Sequence, residues 1–386
     1  MFFTVSVWSQ QFVISCVRQA TKFLLSCQKY FVFFTAGGNI SKVIKYSVIV
    51  PTRNRAFQLR CCLSHLSELC FEKDSFEVLI IDNGSTDDTK ETTSAFRAGI
   101  KNLRYIYCEY PGLVAARHKG FDEASGEILC YIDDDSFVSK NWLRGIDSAF
   151  SHRKVALVGG PCLPKYEVEP PSWLKELWNE ISGGRCLASL SLLDFGKEVK
   201  SISPYYIYGC NFSIRKAMLA KIGGFHPDAF PKELINFRGD GETFVSRKLI
   251  ELGCEAWYSP LAKIHHWVPK QKMTTDYFYN RAYIQGISDS FTQIRKQYGI
   301  ETTNDKKKVN IGVKIFHKII RVINAKLDWK CHKYADESEK IREIRKKMQE
   351  SHEAGYRNHQ EQVKKNPKLL EWILRENYLG ENGRLP

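Results

Sequence analysis

The apolar run Ile128-Leu129-Cys130-Tyr131-Ile132 ends abruptly in Asp133-Asp134-Asp135. Bounded by Gly126-Glu127 on one side and by charge on the other, it predicts a short buried strand in a parallel sheet. The acids then hang at the carboxyl tip of that strand, where open α/β sheets bind their ligands. Three neighbouring carboxylates repel one another, and a cation between them relieves the repulsion. One reading is a divalent metal holding a diphosphate; the other is a solvated acidic loop. The rest of the chain has to separate the two.

The same plan recurs upstream. Tyr46-Ser47-Val48-Ile49-Val50 predicts a strand that Pro51 stops, leaving Thr52, Arg53 and Asn54 at its end with donors suited to a base or a phosphate, ahead of a helix over 56–70. Phe76 to Ile81 predicts a second strand that delivers Asp82, with Gly84 for a tight turn and a helix running through Arg97. No GxGxxG follows the first strand and no GxxxxGK[ST] occurs, which argues against a dinucleotide-binding dehydrogenase and against a P-loop enzyme.

Three stretches then combine: Ser47-Val48-Ile49-Val50-Pro51-Thr52-Arg53-Asn54-Arg55, Ile80-Ile81-Asp82-Asn83-Gly84-Ser85-Thr86-Asp87, and Gly112-Leu113-Val114-Ala115-Ala116-Arg117-His118-Lys119-Gly120 leading into the aspartate triplet. In order and spacing they resemble the family 2 inverting glycosyltransferases over roughly Tyr46 to Tyr283. The resemblance implies the GT-A fold: an α/β, Rossmann-like, mostly parallel sheet flanked by helices, here with a helical C-terminal extension. It implies a nucleotide-sugar donor, a UDP-sugar first of all, with Mn²⁺ or Mg²⁺ at a DXD motif. Pro51, Thr52, Arg53, Arg55, Asp82, Asp133 and Asp134 would serve the nucleotide, and Asp135 and His266 the metal. Two positions depart from the family pattern, Asn83 where many relatives have a second aspartate and His118 where they have Asn. Arg117 faces the nucleotide or lies on a helix surface.

An inverting transfer needs a carboxylate to take the acceptor hydroxyl's proton opposite the leaving diphosphate. Arg238-Gly239-Asp240-Gly241-Glu242-Thr243 places two acids before a helix expected over 244–252. Relatives usually show Glu-Asp here, so the shifted register favours Asp240 as the base with Glu242 second; the alternative is a pair of helix-capping acids. Trp257 to Pro269 predicts a last strand, with His266 toward the diphosphate and His265 on the opposite face. Trp173 and Trp178 suit either sugar stacking or core packing.

The 386 residues carry a net charge of +14, which suggests a polyanionic partner without naming it. The twelve cysteines show no CxxC pair or zinc spacing. We expect an amphipathic N-terminal segment over 1–45, the transferase domain over 46–300 and a basic helical region over 301–386. The polar positions between Gln11 and Phe34 recur at helical spacing, so that stretch reads as an in-plane membrane helix or one packed on the domain. A basic amphipathic helix over 309–323, lying on an anionic membrane or packing over the domain, a charged helix near 338–352 and a last helix from Pro367 follow. The expected partners are the nucleotide-sugar donor and a glycan or lipid-linked acceptor of polysaccharide biosynthesis, without nucleic acid. The expected location is cytoplasmic, peripheral to the inner face of the membrane. A sugar nucleotidyltransferase would carry a Gly-rich phosphate loop after the first strand, which Pro51 to Arg55 lacks; a non-catalytic basic binding protein would need neither metal ligands nor a base.

Overall fold

A computed structural model describes residues 43–178, 180–181, 183–300 and 338–380. The amphipathic stretch expected between Gln11 and Phe34 and the basic helix expected over 309–323 lie outside the described residues.

Strand β1 (Tyr46–Thr52) is buried along its length and leads into α1 (Ala56–Ser67). β2 (Phe76–Asp82), α2 (Thr89–Ala95), β3 (Leu103–Tyr107), α3 (Leu113–Glu123) and β4 (Ile128–Tyr131) follow as successive parallel βα units. Burial on both faces explains why β1, β2 and β4 read as largely hydrophobic runs, while the edge strand β3 is only partly buried. Pro51 does not end β1 as expected. On the β4 side pairing stops at Ile49 opposite Tyr131, so the missing N–H of Pro51 falls where no ladder bond is needed, and the strand continues beside β2 to Thr52. Gly120 sets how closely α3 lies on β1, because a Cβ there would come within 2.4 Å of Ile49 Cγ2.

After β4 the chain leaves this sheet. The aspartates turn it into β5 (Ser136–Val138), which belongs to a second sheet. Then come α4 (Trp142–Phe150), β6 (Val155–Gly159), β7 (Cys162–Tyr166), α5 (Ser172–Leu177), β8 (Glu180–Ile181), β9 (Gly184–Leu187), β10 (Leu192–Asp194), β11 (Lys200–Ser201) and β12 (Phe212–Arg215). α6 (Lys216–Ile222), α7 (Glu242–Glu251), β13 (Glu255–Tyr258) and β14 (Ile264–Val268) complete the core. The first sheet has the order β11-β13-β6-β12-β4-β1-β2-β3 and the second β5-β14-β7-β10-β9-β8. The sheet is mixed, since β12 runs antiparallel to both β4 and β6.

Three helices close the described chain: α8 (Thr275–Gln297), α9 (Glu339–Lys365) and α10 (Pro367–Ile373). α9 is longer than the helix expected near 338–352. It runs through Gly355, where it crosses α8: a Cβ on Gly355 would meet Tyr283 O at 2.0 Å, and one on Gly286 would meet His352 O at 2.1 Å. Ile341, Ile344 and Met348 of α9 share an apolar cluster with Leu174, Leu177 and Phe278, so this part of the C-terminal region packs into the core of the preceding domain. Trp173 packs edge-on against Phe278 in that cluster. Among the described residues no helix is long and apolar enough to cross a membrane.

Candidate active site

Because β4 ends at Tyr131 and β5 starts at Ser136, the three aspartates occupy the turn between the two sheets, and each meets a different environment. Asp134 is buried: its Oδ2 accepts from Thr52 Oγ1 at 2.8 Å, and its Oδ1 pairs with Arg55 Nη1 at 2.8 Å. Arg55 also reaches Asp135 Oδ2 at 2.7 Å. Thr52, Arg55 and Asp134, all expected to meet the nucleotide, are therefore engaged with one another and tie the tip of β1 to the aspartate turn. Burial drives the Asp134 carboxyl up to about 7, with Arg55 opposing.

Asp135 is fixed from the other side by β14. Its carbonyl accepts from Trp267 N–H at 2.9 Å, and His266 Nε2 stands 3.3 Å from its Oδ1. His266 Nδ1–H donates to Leu190 O at 2.8 Å, which aims Nε2 at the acid. Burial alone would raise Asp135 and lower His266. Their pairing outweighs it, holding Asp135 well below the usual carboxylate range and pushing His266 up to about 9. One atom each of Asp133, Asp135 and His266 can be chosen so that all lie within 4.8 Å of one another. Asp135 Oδ1 is buried with no hydrogen-bond partner. Two carboxylate oxygens and an imidazole nitrogen fit Mn²⁺ or Mg²⁺, so the residues suit a divalent ion, with Asp133 joining the two ligands expected from the sequence.

At the tip of β2, Asp82 is buried, its Oδ1 accepting from Ser85 N–H at 2.8 Å and its Oδ2 from Tyr105 OH at 2.6 Å. Pro51 is buried and Arg53 is exposed. Asn54 takes the left-handed conformation at φ 51° and accepts from Thr86 N–H at 2.7 Å, joining the loops after β1 and β2. Asn83 accepts from Gly112 N–H at 2.9 Å and donates to the carbonyls of Cys108 and Tyr110. An aspartate cannot make that donation, which accounts for one departure from the family pattern. At the other, His118 is buried, and its Nε2 accepts from Phe225 N–H at 2.9 Å.

Arg117 is not a surface residue. It is 3% exposed, with Nη2 at 3.8 Å from Asp133 and Nη1 at 3.4 Å from Glu242. Glu242 opens α7, and its Oε1 also accepts from Gly209 N–H at 3.2 Å. Asp240 lies elsewhere. Gly241, at φ 52° and ψ −129°, turns the chain between the two acids. Asp240 then pairs with His226 Nδ1 at 2.5 Å, Arg247 Nη1 at 2.8 Å and Thr292 Oγ1 at 3.0 Å, and its side chain is 5% exposed. The acid favoured from the sequence as base is thus enclosed by α7 and α8, while Glu242 reaches the metal-side acids through Arg117. Sequence reasoning missed Gly209 and also Lys272, whose Nζ stands 3.4 Å from Asp135 Oδ2. Gly209 lies in the stretch Tyr208 to Ile214, whose sequence gives no hint that its N–H meets Glu242, and for Lys272 the one signal is a lysine six residues beyond His266.

The chain is 39% identical over 115 residues to the glycosyltransferase AglE of Haloferax volcanii, covering 30% of this chain and 38% of that protein. It is 25% identical over 208 residues to a validoxylamine A glucosyltransferase of Streptomyces hygroscopicus, covering 50% of this chain and 49% of that one. It therefore spans less than half the length of these curated relatives. In fold it resembles the Pyrobaculum calidifontis mannosyltransferase PcManGT, solved with GDP-Man and Mn²⁺, at TM-score 0.52 and 16% identity over 95% of each chain. Residues 47–250, more than half the chain, match the family described as Glycosyl transferase family 2, and the chain belongs to that family.

Proposed function

We propose that this chain moves a sugar from a nucleoside diphosphate to an acceptor hydroxyl, in one displacement that inverts the anomeric carbon and depends on a divalent cation. The observation that best supports this is Arg117, whose guanidinium reaches Asp133 at one end and Glu242 at the other. A metal-competent trio and a partly exposed carboxylate thereby stand on either side of one buried cation. An inverting displacement needs that arrangement, with the leaving diphosphate on one side of the sugar and the base on the other.

When bound, Mn²⁺ or Mg²⁺ supplies positive charge that stabilises the departing diphosphate. Glu242 takes the proton from the acceptor hydroxyl as its oxygen attacks, and the Gly209 N–H and Arg117 hold that carboxylate in line. Arg55 and Thr52 immobilise Asp134, and through it the aspartate turn. Asp82 and the Pro51–Arg53 segment line the nucleoside side, with Arg53 as the exposed cation there. Asp240 positions the start of α7. A UDP-sugar is the first donor to test. The acceptor is a hydroxyl of a glycan or lipid-linked molecule, and the net charge of +14 supports an anionic one or an anionic membrane surface.

The test is a panel of UDP- and GDP-sugars incubated with the purified protein, following release of the nucleoside diphosphate with Mn²⁺ and with EDTA. Metal-dependent release from one donor, abolished in Asp135→Asn, supports the reading. Undiminished release in EDTA, or full activity in Asp135→Asn, overturns it.

A further inference from the structure

Asp135 divides its two oxygens between different partners. Oδ1 faces His266 Nε2 and accepts no hydrogen bond, whereas Oδ2 carries Arg55 Nη2 at 2.7 Å and Lys272 Nζ at 3.4 Å. These two cations are not equivalent. Arg55 spans Asp134 as well, and its planar fork fixes it between the two acids. Lys272 makes one long contact from a flexible four-carbon stem, with 27% of its side chain exposed. It stands on the turn Lys270–Met273, between β14, which bears His266, and the start of α8. Its ammonium is therefore tethered near the metal-competent atoms without being locked to them.

Charge makes this tether conditional. Once Asp135 is committed to a dication, the attraction that holds Lys272 against it is cancelled, and the ammonium is left beside a like charge. A diphosphate bound to the same ion would bring anionic oxygens that a freed ammonium can pair with.

We propose that Lys272 is a counter-ion switch: it neutralises Asp135 until the donor arrives, then moves to a phosphate oxygen of the donor. The proposal rests on the reading of this cleft as a nucleoside-diphosphate-sugar site. Lys272 competes with a metal that binds alone and favours metal and nucleotide binding together, so it couples the two ligands.

The test is Lys272→Met, which keeps the stem and removes the charge, with Lys272→Arg as the conservative control. Mn²⁺ binding without nucleotide is read from the loss of the free Mn²⁺ paramagnetic resonance signal. UDP and GDP binding at saturating Mn²⁺ are read by calorimetry. The methionine variant binds Mn²⁺ alone about threefold more tightly. It binds the preferred nucleotide about tenfold more weakly, and the arginine variant restores most of that loss. The opposite signs are the signature. Weakening of both ligands together would mean that Lys272 only supports the local fold, and unchanged nucleotide affinity would equally overturn the switch. If the unmodified protein bound neither Mn²⁺ nor nucleotide, the donor-site reading itself would fail; binding of both with no effect of Lys272→Met would sink the switch alone.

Discussion

Gly209 has no side chain where Arg117 fills the space: a Cβ there would lie 2.1 Å from Arg117 Nη2. Its N–H also holds Glu242. Gly209→Ala must therefore push the guanidinium out of line with both acids it spans. We expect donor turnover to fall by about tenfold to a hundredfold, with a loss of about 1–3 kcal/mol in stability, read by steady-state kinetics and urea unfolding. Asn83→Asp tests a different kind of residue. It removes the amide donor that closes the 108–112 loop and should cost about 1–3 kcal/mol, visible as a lower urea midpoint with an unchanged slope. An unchanged midpoint would mean that water replaces those bonds. At this scale the sequence was readable where residue type and motif coincide. Asp82 and the aspartate triplet lie at strand ends, and His266 lies inside β14. It was not readable where a role depends on which way a side chain turns: Asp240 and Glu242 stand two apart, and the positive φ of Gly241 decides which one faces the cleft.

The helix pair α8 and α9 shows how elements are held. Gly286 and Gly355 bring the two backbones into contact, since any Cβ at either position would strike a main-chain atom of the partner helix. Gly286→Ala and Gly355→Ala should each destabilise by about 1–3 kcal/mol despite alanine's better helix propensity. The double variant should cost less than the sum, because the first substitution already parts the helices. Thermal melts of the four proteins check this, and a gain in stability from either single change would contradict the contact. The parallel βα units were legible because buried strands leave continuous β-branched and apolar runs. The second sheet was not, since strands of two to five residues such as β8, β10 and β7, the last with Pro164 inside it, carry no usable period.

Across the whole molecule, the aspartate turn, α7 and the C-terminal helices are joined by buried polar residues, and acid is the way to probe them. His359 links α9 to Ser290 and to the Asn236 carbonyl, and burial lowers it to about 4. The unfolded chain therefore binds the proton first as pH falls. The His359 contribution is fully present above about pH 6.5 and is lost as pH drops toward 4. Asp134, raised by burial, acts in the opposite sense over much of that range, so the effect is best read as a difference. The stability gap between the unmodified protein and His359→Gln should be widest at pH 7 and narrow by up to about 3 kcal/mol at pH 4; a constant gap would contradict a buried neutral imidazole. The central claim is that the metal-competent end of β4 and the first turn of α7 act on one donor, with Glu242 as the base. The most direct measurement is donor turnover at saturating Mn²⁺ by Glu242→Gln and Asp240→Asn, each with its melting temperature. The account predicts that Glu242→Gln loses about 10²–10⁴-fold in turnover with its melting temperature intact. Asp240→Asn instead loses about 3–5 kcal/mol of stability by opening the His226–Arg247 network, while its folded fraction keeps turning over. The reverse pattern, a folded but inactive Asp240→Asn beside an active Glu242→Gln, would contradict it.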